Sequence, residues 1–428
     1  MPALHTIRMS IDKSISRELD VASPSGLPGI SPYFLEAILS TPHLQHLAIF
    51  GPLCHPNDVL PQDVTFDSLA RLSSFIYQPM QERSVDQVLE AEKKQTSFIL
   101  RGVHDHIERL IIPSASVVID ELASWQWPLL QEFSIRGERA PSSSSLSHLL
   151  IRMPRLRVAC LLLANPAQGA LSPACPFSLD PEYLWHDMEA LAIAHPDPED
   201  DIYSHLSHGL QELSLRCWPR HYKHYTPFRE AILNEGVQWT SPLLSSSDML
   251  RVLSKIEAPL LTFLEIEFRA DSTGTQLVRH IGAAFPSLVI LRIHRYRMTA
   301  HEDLPLVEIG RALSGLQQLE LLMLHLDFAD LPDADLFKGR GRLTPAGEKQ
   351  LDDSDATLAH ATNTMAPLLA PSLECIFFLQ PYISSGAQWV PFRIVRPPGD
   401  QADNCVTAIY QSPDISNIPY RHLARKDE

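Results

Sequence analysis

FPSLVILRIH, residues 285–294, sets the reading of the chain. Its order is proline, spacer, leucine, two spacers, leucine, spacer, isoleucine. The phrase returns as APLLTFLEIE (258–267), WPLLQEFSIR (127–136) and TPHLQHLAIF (41–50). Strand residues alternate faces, so the last two apolar positions point one way and the spacers the other. One such strand cannot bury its inner face by itself, whereas copies stacked side by side build a continuous core. Proline suits a turn that ends a preceding helix, because the residue before it is biased away from the α region.

Looser copies occur at Leu4-Ile7-Met9, Ile107-Leu110-Ile112, Leu156-Ala159-Leu161, Met188-Leu191-Ile193, Leu210-Leu213-Leu215 and Leu373-Ile376-Phe378. A weak one sits at Leu69-Leu72. Near residue 316 two registers fit, Leu316-Leu319-Leu321 and Leu319-Leu322-Leu324. Most spacings are roughly 20 to 30 residues, and the longer ones read as repeats carrying insertions. Helical stretches precede the strands. Leu146, Leu149, Leu150 and Met153 follow i, i+3, i+4, i+7, as do Met249, Leu250, Leu253 and Ile256, with serines ahead as N-cap candidates. Phe34, Leu35, Ile38 and Leu39, and Leu277, Ile281 and Phe285, give the same pattern. The expected fold class is therefore α/β, an irregular solenoid with a parallel concave sheet and convex helices over residues 1–380.

Two insertions are expected. HPDPEDDIYSH (195–205) reads as a solvated acidic loop without calcium-loop spacing, and 327–355 as a surface excursion with a short helix starting near Thr344. Beyond 380, WVPFRIV and CVTAIY read as a hairpin capping the array, followed by a tail, within 381–428. The strand at Leu4 starts almost at Met1, which suggests that something native precedes it.

Net charge of −16 and a pI near 5.6 argue against nucleic acid and anionic membranes as partners. Six cysteines without CxxC pairs read as free thiols of an intracellular, cytoplasmic or nuclear protein. The start has no signal-peptide pattern, and no apolar run is long enough for a membrane span. No phosphate loop, nucleophile elbow or zinc motif appears, so neither cofactor nor metal nor catalysis is expected. In CWPRHYKHYTPF (217–228), His221, His224 and Cys217 lack a third metal ligand, and Trp218, Tyr222, Tyr225, Arg220 and Lys223 suggest a contact patch or an ordinary loop. His104-Asp105-His106 reads as a solvated turn. The candidate partner-binding residues are spacers that would line the concave face: Val158, Cys160, Leu162, Ala192, Ser214, Glu265, Arg292, His294 and Glu320. The apolar part of that face is expected either to dock a partner or to be covered by a loop or the tail.

STPHLQHLAIFG, RMPRLRVACLLL and AFPSLVILRIH resemble the leucine-rich-repeat region of fungal, basidiomycete-type F-box proteins. Where the familiar leucine-rich repeat carries its Asn or Cys, this chain holds Glu138, Trp218, Arg269 and Tyr296. The resemblance implies substrate recognition by a ubiquitin-ligase subunit, with the Skp adaptor as partner if an F-box precedes Met1. No F-box phrase occurs in the sequence itself. A stand-alone repeat adaptor and an α/β enzyme with a strand–helix rhythm remain as alternatives.

Overall fold

In a computed structural model, the described residues are 4–10, 29–53, 66, 69–79, 90–139, 146–166, 185–217, 239–240, 242–299, 302–328, 345–382, 386–396 and 407–410. They form two compact units, one drawn from residues 1–188 and 232–240, the other from 189–231 and 241–428.

In the first unit, strands β1 (Thr6–Ser10), β2 (His46–Phe50), β3 (Ser74–Gln78), β4 (Arg109–Pro113), β5 (Glu132–Glu138) and β6 (Val158–Pro166) pair in parallel and in sequence order. The register aligns Leu47 with Phe75, Phe75 with Leu110, Leu110 with Phe133 and Phe133 with Ala159. All five are buried. Helices α1 (Pro32–Leu39), α2 (Glu90–Val103), α3 (Ile119–Ser124) and α4 (Leu146–Ile151) supply the other half of the core through Leu35, Leu39, Ile99, Leu100, Leu122, Leu149 and Leu150. Each fully buried leucine contributes roughly 1.5–3 kcal/mol. Ser31 caps α1, its side chain accepting the Phe34 N–H, with Pro32 in the first turn. Glu92 of α2 is buried and accepts bonds from Tyr77 Oη (2.6 Å) and Ser116 Oγ (2.5 Å), which ties the helix to the leucine side of the sheet. Gly137 has φ +133°, and a Cβ there would lie 2.4 Å from Ser114 Oγ, so this bend requires glycine. A two-residue strand, β9 (Trp239–Thr240), pairs antiparallel with the end of β6.

The second unit repeats the scheme. β7 (Ala190–Ala194), β8 (Glu212–Arg216), β11 (Phe263–Arg269), β12 (Ile290–Tyr296), β13 (Leu321–His325) and β14 (Cys375–Tyr382) are parallel neighbours. The short β10 (Leu244–Ser245) adds to the end of β11. β15 (Gly386–Val395) and β16 (Thr407–Tyr410) then run antiparallel and continue the same sheet from β14. Helices α5 (Ser246–Leu253), α6 (Gly274–Ala284), α7 (Leu306–Leu313) and α8 (Pro345–Met365) back it. Ser245 caps α5 by accepting the Asp248 N–H, as the sequence suggests.

One turn recurs before the strands. The N–H of the first repeat leucine donates to the carbonyl three residues back: Leu44 to Thr41, Leu130 to Trp127, Leu156 to Met153, Leu261 to Ala258, Leu288 to Phe285 and Leu373 to Ala370. In each, the proline is the second turn residue, where its fixed φ is favoured. The residue after that leucine offers its carbonyl to two successive N–H groups of the next repeat, as Thr262 does to Val289 and Ile290.

Three expectations change, and one open register is decided. The weak copy at Leu69-Leu72 is Leu72-Phe75-Tyr77, in which aromatic residues take the leucine places. Near 316 the register is Leu319-Leu322-Leu324, because Leu322 and Leu324 pair with Leu291 and Ile293. The helix expected to be short near Thr344 spans 21 residues and buries Leu358, Ala361 and Met365, so it backs the last parallel strand. The 195–205 segment is not wholly solvated. Asp200, Tyr203 and His205 are buried, and Lys255 Nζ donates to the carbonyls of Pro198 (2.6 Å) and Asp200 (3.1 Å). Residues 218–228 of the aromatic–basic stretch, 329–344, and the tail beyond 410 lie outside the described residues.

Candidate functional site

The face opposite the leucines is built from the spacers, and register decides which of them meet. In the second unit one row runs Ala192, Ser214, Glu265, Arg292, Met323, Phe377 across six strands. The row beside it pairs Ala194 with Arg216, and Glu267 with His294 and then His325. Five of the nine sequence-predicted residues therefore share this face: Ala192, Ser214, Glu265, Arg292 and His294. Val158, Cys160 and Leu162 lie on the corresponding face of β6 in the first unit.

Glu320 does not belong with them. It precedes β13, is exposed, and occupies the position of Thr262 and Val289 in the turn. There its N–H donates to Val289 O, and its carbonyl accepts from Glu374 and Cys375. Placing it among the spacers followed from the other register; Met323 and His325 hold the places facing Arg292 and His294.

Burial is what the sequence could not show. Ala192, Ser214, Glu265, Arg292 and His294 are between 0 and 6 % exposed, and Cys160 and Leu162 are 2 % exposed. These side chains offer almost no surface to a partner in this conformation. Val158 is half-buried.

Ser214, Arg216, Arg292 and His294 gather around the buried Glu265 carboxylate in one network. Glu265 Oε2 accepts from Ser214 Oγ at 2.6 Å, and Oε1 accepts from Arg292 Nη1 at 3.0 Å. Arg216 Nη1 lies 3.6 Å from Oε2, and His294 Nε2 3.7 Å from Oε1. Glu267 accepts the Cys217 N–H at 2.6 Å and the Tyr296 hydroxyl at 3.0 Å. The Arg292 guanidinium lies 5.6 Å from the Trp389 ring centroid and 5.8 Å from that of Phe263. An apolar cluster of Phe263, Ile290, Met323, Cys375, Phe377, Leu379 and Trp389 adjoins it. In such a low-dielectric setting the Glu265 charge is tolerated because opposite charges and hydrogen bonds meet it. Burial pushes the Cys375 thiol up to about 12. The described cysteines Cys160, Cys217 and Cys375 are buried.

Outside this face, Asp271 organises the loop after β11. It accepts from Ser247 N and Oγ through one oxygen and from Thr273 N and Oγ1 through the other. Burial would raise its carboxyl, but the bonds from Thr273 and Ser247 outweigh it and hold the group down to about 2. His104, Asp105 and His106 form a turn, with the hydrogen bond from His106 lowering Asp105. Among the described residues no group of three or more His, Cys, Asp or Glu is arranged to hold a metal, and no helix is long and apolar enough to cross a membrane.

No family model matches the chain, and no curated protein matches it. Solved structures similar to it include a Bacteroides fragilis protein determined by a structural genomics consortium. That match has 10 % identity, covers 69 % of each chain and has a TM-score of 0.27. A second is TLR13 in its complex with ssRNA13, with 13 % identity over 68 % of this chain and 44 % of that one, and a TM-score of 0.24. This chain thus spans less than half of the TLR13 chain. Likeness at these scores carries no argument about role.

Proposed function

We propose that this chain is a protein-binding scaffold whose contact surface is a spacer face of its repeat strands. One observation carries the reading. Strand after strand sets its spacers in register with the next, so that side chains stand in rows about 4.8 Å apart. Repeat arrays use such rows as extended binding surfaces. The rows are largely buried in the second unit but exposed or half-buried on β1, β2 and part of β3. The excess of carboxylates, 51 Asp and Glu against 35 Lys and Arg, favours protein over nucleic acid as partner. The proposal contains no catalytic step.

The test is cross-linking of endogenous chain in cell extract, with the linked residues identified by mass spectrometry. Protein cross-links on the spacer side of β1–β4 support the reading. Links confined to the helices, or no protein partner at all, would refute it.

The finer proposal, substrate recognition for a cullin-type ubiquitin ligase, rests on the resemblance of the repeat phrases to F-box proteins. Capture of the endogenous protein should then bring down a Skp adaptor. Recovery of other partners without that adaptor would leave the stand-alone scaffold and remove the ligase role.

A further inference from the structure

We propose that the spacer face of β1–β4 docks an acidic peptide segment with an apolar anchor; this names the partner chemistry and rests on the scaffold reading above. The four strands contain no Asp or Glu, in a chain where acids outnumber bases 51 to 35. Their spacer face carries Arg8, His46 and Arg109 instead. Arg8 and His46 are exposed, and the Arg109 side chain is 42 % exposed. Neither Arg8 nor His46 has an ion-pair partner among the described residues, whereas Arg109 lies 3.0 Å from Glu132 on β5.

Register gives the face a pattern. His46 aligns with Ser74, and Ser74 with Arg109, so a polar row crosses the strand starts. The next row is Arg8, Ala48, Ile76. Ala48, Phe50 and Ile76 are half-buried, leaving apolar surface between the two arginines. The Arg8 guanidinium lies 4.8 Å from the Phe50 ring centroid, which orders it beside this surface.

Arg8 and Arg109 stand three strand spacings apart across the sheet and two residues apart along it, about 16 Å. Their long side chains bring them within reach of carboxylates at i and i+4 of an extended peptide, about 13 Å apart. The complementary ligand is therefore carboxylate, spacer, apolar residue, spacer, carboxylate. One carboxylate meets Arg8 and the other Arg109, with the apolar side chain over Ala48 and Ile76. Nucleic acid fits less well. Two arginines fall short of the roughly 6–10 phosphate contacts of a typical binder, and an apolar strip has no use for a phosphate backbone.

The experiment pans random dodecapeptides on the purified full chain and measures the best binder by fluorescence anisotropy. Enriched peptides should share two carboxylates four residues apart flanking an aliphatic or aromatic residue. Arg8→Glu/His46→Glu should weaken that peptide about tenfold or more. The same peptide with lysine in place of its carboxylates should bind the variant better than the parent, a gain that a misfolded variant could not give. Enrichment of neutral or basic peptides, or binding indifferent to the charge reversal, would overturn the inference. So would a single-stranded RNA that binds this face more tightly, or a concentration-dependent dimer abolished by the same variant. If partners cross-link to the spacer side of other strands, this inference fails while the scaffold stands; if they link only to the helices, both fail. If no protein partner and no peptide is found, both fail.

Discussion

Glu265→Ala should destabilise the second unit by about 4 kcal/mol, the middle of the 3–5 kcal/mol seen when one member of a buried ion pair is removed. Glu265 is 1 % exposed and accepts from Ser214 at 2.6 Å and Arg292 at 3.0 Å, with Arg216 at 3.6 Å. Truncation leaves two guanidinium groups, 1 % and 6 % exposed, short of their carboxylate. Four kcal/mol is roughly three decades in the opening equilibrium. Glu265→Gln retains volume and one acceptor for Ser214, so about half that loss is expected. Glu265→Ala/Arg292→Ala should cost less than the sum of the single changes, with a coupling of about 1–3 kcal/mol. Because all partners are buried, salt should change these differences little. The assay is native-state hydrogen exchange of the β11 and β12 amides, which needs no all-or-none assumption about two units. Glu320→Ala is the control: the side chain is exposed, its turn bonds use the backbone, and the effect should stay within about 0.5 kcal/mol. A Glu265→Ala loss below about 1 kcal/mol, or additive single changes, would refute the ion-network account.

The Asp271 carboxyl is depressed to about 2 against an ordinary 3.8, so its stabilisation is full above pH 3.8 and is lost as pH falls toward 2. Its shift corresponds to at most about 2.5 kcal/mol, reduced to about 1 by partial exposure. The gap in melting temperature between wild type and Asp271→Asn should therefore close across that window; a constant gap would contradict it. In Gly282→Ala the new Cβ would lie 2.3 Å from the Ala312 carbonyl, forcing α6 and α7 apart. Overpacking of about 1–3 kcal/mol should outweigh alanine's helix preference of about 1 kcal/mol, and a raised melting temperature would show the close approach to be wrong. With its thiol pushed up to about 12, Cys375 should resist iodoacetamide at pH 8 until urea is added, as mass mapping would show. Rapid alkylation of the native chain would count against that burial.

The chain's local chemistry determined much of this protein. Leucines two apart inside each strand, prolines in the preceding turn and serine at Ser245 act over a few residues, so strands β2, β4–β8, β11, β12 and β14 were legible as written. Where local signals were degenerate, tertiary pairing decided. Leu319 and Leu316 both begin acceptable phrases, and only the match of Leu322 and Leu324 to β12 selects one, which moves Glu320 off the spacer face. Phe75 and Tyr77 fill leucine places because the core accepts volume rather than identity. The alanine-rich stripe of α8 was too weak to announce a long helix.

The spacers show the sharpest division. Sequence named Ser214, Glu265, Arg292 and His294 as outward-facing, and register confirms that they share a face. Their burial, and the meeting of Glu265 with Ser214 from 51 residues away and Arg292 from 27, belong to the tertiary structure. Alternation along a strand fixes which side a residue faces; whether that side meets water depends on what the folded chain brings over it.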